Sequence, residues 1–192
     1  LAIMKAFYQI SYGGKEVEKY GDFADPVMGE GQLLIEVKAV SVNPVDYKVK
    51  NGDARLLSGS RFPKIVGSDF AGIVKQSAVG DNKFKTGERV YGAVSILTGK
   101  QGALSELLVT DVKGVRHIPE GMSFEEAASL PVAALTALNG LRRCGVNANS
   151  NVLINGATGG VGHFAVQIAK AKGAVVTATC SEPNNELAKK LG

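Results

Sequence analysis

Val152-Leu153-Ile154-Asn155-Gly156-Ala157-Thr158-Gly159-Gly160-Val161-Gly162 decides the fold. A short apolar run is followed at once by a glycine-rich turn. Beyond it, His163 to Lys172 has helical period, with Val161, Phe164, Ala165, Ile168 and Ala169 on one face. Gly173 stops that helix, and Ala174-Val175-Val176-Thr177-Ala178-Thr179 reads as a second buried strand. Strand, glycine turn, helix and strand make a βαβ unit. Against the G-x-G-x-x-G pattern, Ala157 holds the first position and Gly159 and Gly162 the other two. Gly159 lets the backbone approach a pyrophosphate, and Gly162 lets the helix pack close to the strand. The amides at the helix start then face the phosphates, with Thr158, Gly160 and Val161 in the same turn.

The end of the second strand discriminates between dinucleotides. An Asp or Glu about 20 residues on would hold a ribose 2′-hydroxyl. Here that place falls on Thr179-Cys180-Ser181, which is neutral, and Ser181 can donate a hydrogen bond to a 2′-phosphate. NADPH is therefore the expected cofactor, although no Arg or Lys lies nearby and Glu182 is the one close charge. The four residues Gly156-Ala157-Thr158-Gly159 also resemble the glycine turn of short-chain reductases. In that family the turn follows the first strand, whereas some 150 residues precede it here.

Those preceding residues are strand and turn. Met4 to Gln9, Val17 to Tyr20, Ile65 to Val74, Arg89 to Tyr91, Leu104 to Thr110 and Val115 to Ile118 are expected strands. The clearest is Gln32 to Ser41, where Leu33, Ile35, Val37 and Ala39 alternate with Leu34, Glu36, Lys38 and Val40. Gly, Asp and Asn between the strands favour a small barrel over a parallel sheet. Composition changes at Pro119-Glu120-Gly121-Met122, which places a domain boundary near residue 122. Ser123 with Glu126 is a capping box. Two helices follow, Ser123 to Ser129 and Pro131 to Cys144, the second opening with proline. Pro183 to Leu191 reads as a last helix. The β-α-β-α that results is about half of a doubly wound sheet, so the chain is expected to be truncated.

The 192 residues are 45% apolar and 21% charged, with a net charge of +4, and suit one or two globular domains. The basic residues show no clustering in sequence, which disfavours a nucleic-acid face. No apolar run is long enough to span a membrane. Cys144 and Cys180 make neither a disulfide framework nor a metal pattern, and Leu1 to Lys5 lacks the form of a signal peptide. A reducing, cytoplasmic compartment is expected, with Met4 a candidate natural start.

Several local motifs together carry a resemblance. They are Val42-Asn43-Pro44-Val45-Asp46-Tyr47-Lys48, Gly67-Ser68-Asp69-Phe70-Ala71-Gly72, Phe84-Lys85-Thr86-Gly87-Glu88-Arg89-Val90-Tyr91-Gly92, Leu130-Pro131, and the glycine turn with Gln167 and Lys170. The chain resembles the medium-chain dehydrogenase/reductases, in the zinc-independent quinone oxidoreductase (zeta-crystallin-like) branch. The resemblance implies an α/β plus β fold. A GroES-like β-barrel domain over residues 1–122 would precede the first half of a Rossmann NADP-binding domain over 123–192, with the active site in the cleft between them. It also implies that a longer protein completes the sheet and can form a homodimer.

Departures from the zinc-dependent branch carry chemistry. Asn43, Ser68 and Val132 stand where those relatives place two cysteines and a histidine as catalytic ligands. Zinc needs thiolate, imidazole or carboxylate groups converging on one point, so no metal is expected. Without a Lewis acid, simple ketones are harder to reduce. Quinones and α,β-unsaturated carbonyls remain accessible, because conjugation spreads the incoming charge onto oxygen.

The resemblance marks Asn43, Asp46 and Lys48 as candidate catalytic residues and Tyr47 as a candidate substrate contact. Lys48 takes the place of a proton-relay histidine, and either orders the ribose, feeds protons or is a solvated helix lysine. Asp46 either takes part in chemistry or caps the helix. Asn43 either binds the substrate oxygen or is an Asn-Pro turn residue. Thr136 corresponds to a threonine that contacts the nicotinamide amide, or else back-bonds within its own helix. A reductase using NADPH is the leading expectation. A protein of the same fold that binds NADPH without turnover, as a sensor or structural protein, is the rival.

Overall fold

Alternation and glycine position build an antiparallel β unit first. In the computed structural model, which describes residues 2–77, 83–95 and 101–192, the strands β1 (Ile3–Gln9), β2 (Glu18–Ala24) and β3 (Gln32–Ser41) lead into the helices α1 (Pro44–Asn51) and α2 (Arg55–Ser58). β4 (Lys64–Ile65), β5 (Asp69–Ser77), β6 (Arg89–Ala93), β7 (Leu107–Asp111) and β8 (Val115–His117) follow, then the short helix α3 (Phe124–Ala128). They form a three-stranded sheet in the order β2-β1-β4 and a five-stranded sheet in the order β7-β3-β5-β6-β8. Every pairing in both is antiparallel.

The period-two reading of residues 32–41 matches β3, whose Leu33 and Ile35 are fully buried. They meet Phe70, Val74, Phe84, Val90, Ala103, Leu108 and Val115 in one core. Residues 103–106 join the two sheets. Phe7 N–H donates to Leu104 O (2.8 Å) and Glu106 N–H to Lys5 O (3.0 Å) on the β1 side, while Val37 N–H donates to Glu106 O (3.0 Å) on the β3 side. The strand expected from Leu104 therefore joins the β3 ladder only from Leu107. The strand expected over Ile65 to Val74 is broken in two. Gly67 turns at φ +93°, and a Cβ there would press on Leu104 at 3.1 Å, so the chain bends where a side chain does not fit.

The sequence places a domain boundary near residue 122; the chain divides into two compact units between Pro131 and Val132. α3 stays with the β unit because Ala127 and Ala128 are buried against Ala71 and Ile118. Its start is capped as the sequence implies: Glu126 N–H donates to Ser123 Oγ (3.1 Å) and Ser123 N–H to Glu126 Oε2 (2.8 Å).

The second unit holds α4 (Pro131–Arg143), β9 (Asn151–Asn155), α5 (Gly160–Ala171), β10 (Val175–Thr179) and α6 (Asn185–Leu191). β9 and β10 are parallel, in register from Asn151↔Val175 to Asn155↔Thr179, with α5 as the crossover. Ala137, Leu141, Val146, Ile154, Ala157, Ala165, Val166, Ala169 and Ala174 form its core. One expectation fails here. The two strands are not buried on both faces: Leu153 is 69% and Val175 62% exposed. A two-stranded sheet has helices on one face only, so apolar side chains that a doubly covered sheet would hide face outward. Among the described residues no helix is long and apolar enough to cross a membrane.

Candidate functional site

In the second unit, the glycine turn links the end of β9 to α5. Gly156 takes φ +72°, and Ala157 is fully buried with its N–H donating to Thr179 O at 2.9 Å. Gly159 N–H donates to Gly156 O (3.0 Å), and Gly159 is the N-cap of α5. The helix begins at Gly160, three residues before the sequence reading placed it, so Gly160, Val161 and Gly162 form its first turn. Their poor helical propensity is overridden by packing. A Cβ on Gly162 would lie 2.1 Å from Gly156 O. At Gly160 a Cβ would meet nothing within 4 Å, so this backbone is open to an incoming group. The first N–H groups of a helix have no intrahelical partner, and α5 adds the positive end of a 12-residue dipole. The turn thus fits the diphosphate of a dinucleotide, with Thr158 half-buried and Val161 40% exposed beside it.

At the strand end, bonds within the chain hold the candidate cofactor contacts. Thr179 Oγ1 donates to Asn155 Oδ1 (2.5 Å) and accepts from Gly156 N–H (3.3 Å), which ties the ends of β9 and β10 to the turn. Ser181 is exposed, with Asn184 Nδ2 donating to its Oγ at 3.0 Å. Thr136 Oγ1 donates to Val132 O at 2.6 Å, a bond within α4.

In the first unit, the end of β3 delivers the second set of candidates. Ser41 and Asp69 are register partners across β3 and β5. Asp69, fully buried, accepts from Ser41 Oγ (3.0 Å) and Asn43 Nδ2 (2.9 Å) on one oxygen. Asn43 is the N-cap of α1, and its backbone N–H donates to Asp46 Oδ2 at 2.6 Å. Asp46 is 2% exposed, and Ser68 faces it. Burial pushes the Asp46 carboxyl above its usual value, while the hydrogen bond from the Asn43 N–H opposes the rise. α1 thus turns Asp46 and Val49 inward, and Tyr47 and Lys48 lie exposed on its outer side. Of the alternatives for Asp46, the capping geometry is present. The structure brings Asn43, Asp46, Ser68 and Asp69 together and leaves Tyr47 and Lys48 open to solvent. Among the described residues no group of three or more His, Cys, Asp or Glu side chains could hold a metal ion.

A further network had no sequence signal. Lys64 is buried, and its Nζ donates to Gly59 O (2.6 Å), Ser58 O (2.7 Å) and Tyr12 OH (2.9 Å), over the rings of Tyr12 and Phe62. Burial raises the Tyr12 phenol, but the bonds from Lys64 and Ser58 outweigh it and hold the group below its usual value. Its members come from residue 12 and from residues 58–64, some 46 positions apart, so periodicity could not group them.

Residues 29–138 match the family described as the alcohol dehydrogenase GroES-like domain. The chain is 40% identical over 197 residues to the chloroplastic quinone-oxidoreductase homolog of Spinacia oleracea, covering 99% of this chain and 59% of that one. To the mitochondrial NAD(P)H oxidoreductase RTN4IP1 of Homo sapiens it is 35% identical over 209 residues, covering 99% and 52%. The structure of the quinone oxidoreductase from Coxiella burnetii superposes with a TM-score of 0.90 at 35% identity, covering 100% of this chain and 61% of that one. The chain therefore spans 52–61% of the length of these relatives. From the antiparallel β unit, the βαβ turn and these matches it follows that the chain belongs to the medium-chain dehydrogenase/reductase superfamily, in its quinone oxidoreductase-like branch.

Proposed function

We propose that this chain is the barrel and first cofactor half of an NADPH-dependent, zinc-independent oxidoreductase that reduces quinones or α,β-unsaturated carbonyls by direct hydride transfer. The observation that carries the reading is the turn at Gly156–Gly162. Its backbone is crowded where the helix must approach the strand and open where a phosphate would lie. Relatives named for quinone and NAD(P)H chemistry support it. When bound, the nicotinamide supplies a hydride to the β-carbon of an enone or to a quinone, and one proton completes the reduction.

The chain's own residues bind and orient. Gly160 and Val161, in the first turn of α5, present backbone amides to the diphosphate, while the Gly159 N–H closes the turn on Gly156 O. The neutral stretch Thr179 to Ser181 places no carboxylate against a 2′-phosphate, and the Ser181 hydroxyl is exposed beside it. Asn43 and Asp46 fix the start of α1, which sets Tyr47 and Lys48 in space. The exposed Lys48 ammonium would deliver a proton to an enolate or phenolate oxygen, whereas Lys50 on the same helix is held by Glu18 and Gly13 O.

The test uses the intact protein with NADPH or NADH against benzoquinone and a small enone. Oxidation of NADPH that depends on the acceptor, with deuterium passing from C4-deuterated NADPH to the enone β-carbon, is the expected result. Binding of NADPH with no turnover of any acceptor would instead establish the rival reading, a protein that senses the cofactor. Activity that needs added zinc would overturn the metal-free reading.

A further inference from the structure

The chain's net charge of +4 is not spread evenly. Residues 132–192 hold six basic residues (Arg142, Arg143, Lys170, Lys172, Lys189 and Lys190) against two acidic ones, Glu182 and Glu186. That excess of four equals the whole chain's, so the first unit is balanced and the second carries the imbalance.

Topology puts all six basic residues on one edge. Arg142 and Arg143 end α4, Lys170 and Lys172 end α5, and Lys189 and Lys190 end α6. The loop after α4 and the loop after α5 lie side by side: Val175 N–H donates to Ser150 O at 3.0 Å, and a Cβ on Gly173 would lie 3.1 Å from Ala148 Cβ. Gly192, after α6, lies against the Lys170 side chain. This edge is at the N-terminal ends of β9 and β10, opposite the glycine turn. Glu182 is at the other edge, and Glu186 offsets Lys189 through a 2.8 Å bridge.

We propose that this edge is a docking surface for an anionic lipid bilayer. Basic residues favour helix C-termini, and the parallel βαβ order brings those ends to one edge, so cations that each suit a single helix add up to one continuous surface. A stretch of six cations nearly free of carboxylates is complementary to a sheet of lipid phosphates, each cation adding attraction near the surface. Residues 141–150, 168–175 and 185–192 contain no aromatic side chain, so the edge lacks the stacking platform that single-stranded nucleic acid uses. Leu187, half exposed on α6, adds an apolar contact at headgroup depth. The inference does not depend on which acceptor the protein reduces.

Sedimentation of the intact protein with vesicles tests it. Binding to vesicles containing phosphatidylglycerol, weakened by salt, is expected, with little to vesicles of phosphatidylcholine alone. Reversing four charges (R142E, R143E, K189E and K190E) should lower the partition by about six-hundredfold or more, at roughly fivefold for each cation lost. The milder R142Q, R143Q, K189Q and K190Q set should lower it less, and unchanged NADPH binding in either set shows that the unit is folded. K5E with K38E, in the first unit, should leave partition unchanged. Equal sedimentation with both vesicle types, full binding by the charge-reversed protein, or tight binding to duplex DNA without any lipid preference would overturn the proposal.

Discussion

A methyl group added at position 162 and one added at position 160 should have opposite effects, although the two glycines share one turn of helix. At Gly162 the new Cβ would sit 2.1 Å from Gly156 O, a backbone atom that cannot swing aside. Gly162→Ala is expected to destabilise the second unit by about 1–3 kcal/mol, the range for overpacking. At Gly160 nothing lies within 4 Å, so Gly160→Ala should leave stability unchanged or raise it by up to about 1 kcal/mol. It should nevertheless weaken NADPH about tenfold or more, because the methyl occupies the side a phosphate approaches. Thermal unfolding read beside cofactor titration separates the two, and a Gly160→Ala protein that binds NADPH normally would place the diphosphate elsewhere. Asp46 gives a second prediction at this scale. Burial holds its carboxyl above the usual 3.8 in the folded protein, so ionising it costs the fold more than it costs the unfolded chain. Its penalty is absent below that value, grows as pH rises toward the raised folded value, and stays in full above it. Asp46→Asn retains an acceptor for the Asn43 N–H and removes the charge. Its melting temperature should vary less with pH across the acid range than that of the wild type, and equal slopes would show the carboxylate to be well solvated.

Elements differ in how much of their placement is written locally. β3 follows from alternation because both sheet neighbours and the core act on it with the same period of two. The start of α5 does not, because Gly160 and Gly162 look like helix breakers until the closeness of the β9 end is known. β9 and β10 read as buried strands from their apolar content, yet Leu153 and Val175 face outward, since coverage depends on elements beyond the strand itself. The candidate site is legible to the same degree. The glycine turn and the Asn43–Asp46 cap are spacings within seven residues, whereas the Asp69 acceptor for Asn43 and the Lys64 network join distant segments. α2 shows what such a network does. It is four residues long, with Leu56 96% and Leu57 72% exposed, so its own packing holds it weakly. Lys64 supplies the anchor through Ser58 O and Gly59 O. Lys64→Met keeps the buried stem but strands Ser58 O, while the Tyr12 hydroxyl keeps its bonds to Ser58 Oγ and Gly59 O, at a cost of about 1–3 kcal/mol. Trypsin should then cut after Arg55 or Arg61 much faster than in the wild type. Unchanged cleavage would mean that the loop is held by something other than the ammonium.

At the scale of the whole chain, the two units have cores with no residue in common. One is centred on Leu33, Ile35, Phe70 and Val90, the other on Ile154, Ala157, Val166 and Ala169. A ligand stabilises the cooperative unit that holds it, by an amount set by its concentration relative to its dissociation constant. The residues proposed to grip the diphosphate all belong to the second core's unit, where Ala157 is at once a turn residue and a core residue. Calorimetry of residues 1–192 should therefore show two transitions, since chains built of two units depart from two-state unfolding. NADPH at about 100 times its dissociation constant should add about 2.7 kcal/mol to one of them and leave the other in place. Gly162→Ala identifies which, because it should lower that same transition alone. A single transition, or equal movement of both with cofactor, would mean that the phosphate site draws its stability from the β unit as well, and that the grip on the dinucleotide is shared between the two units.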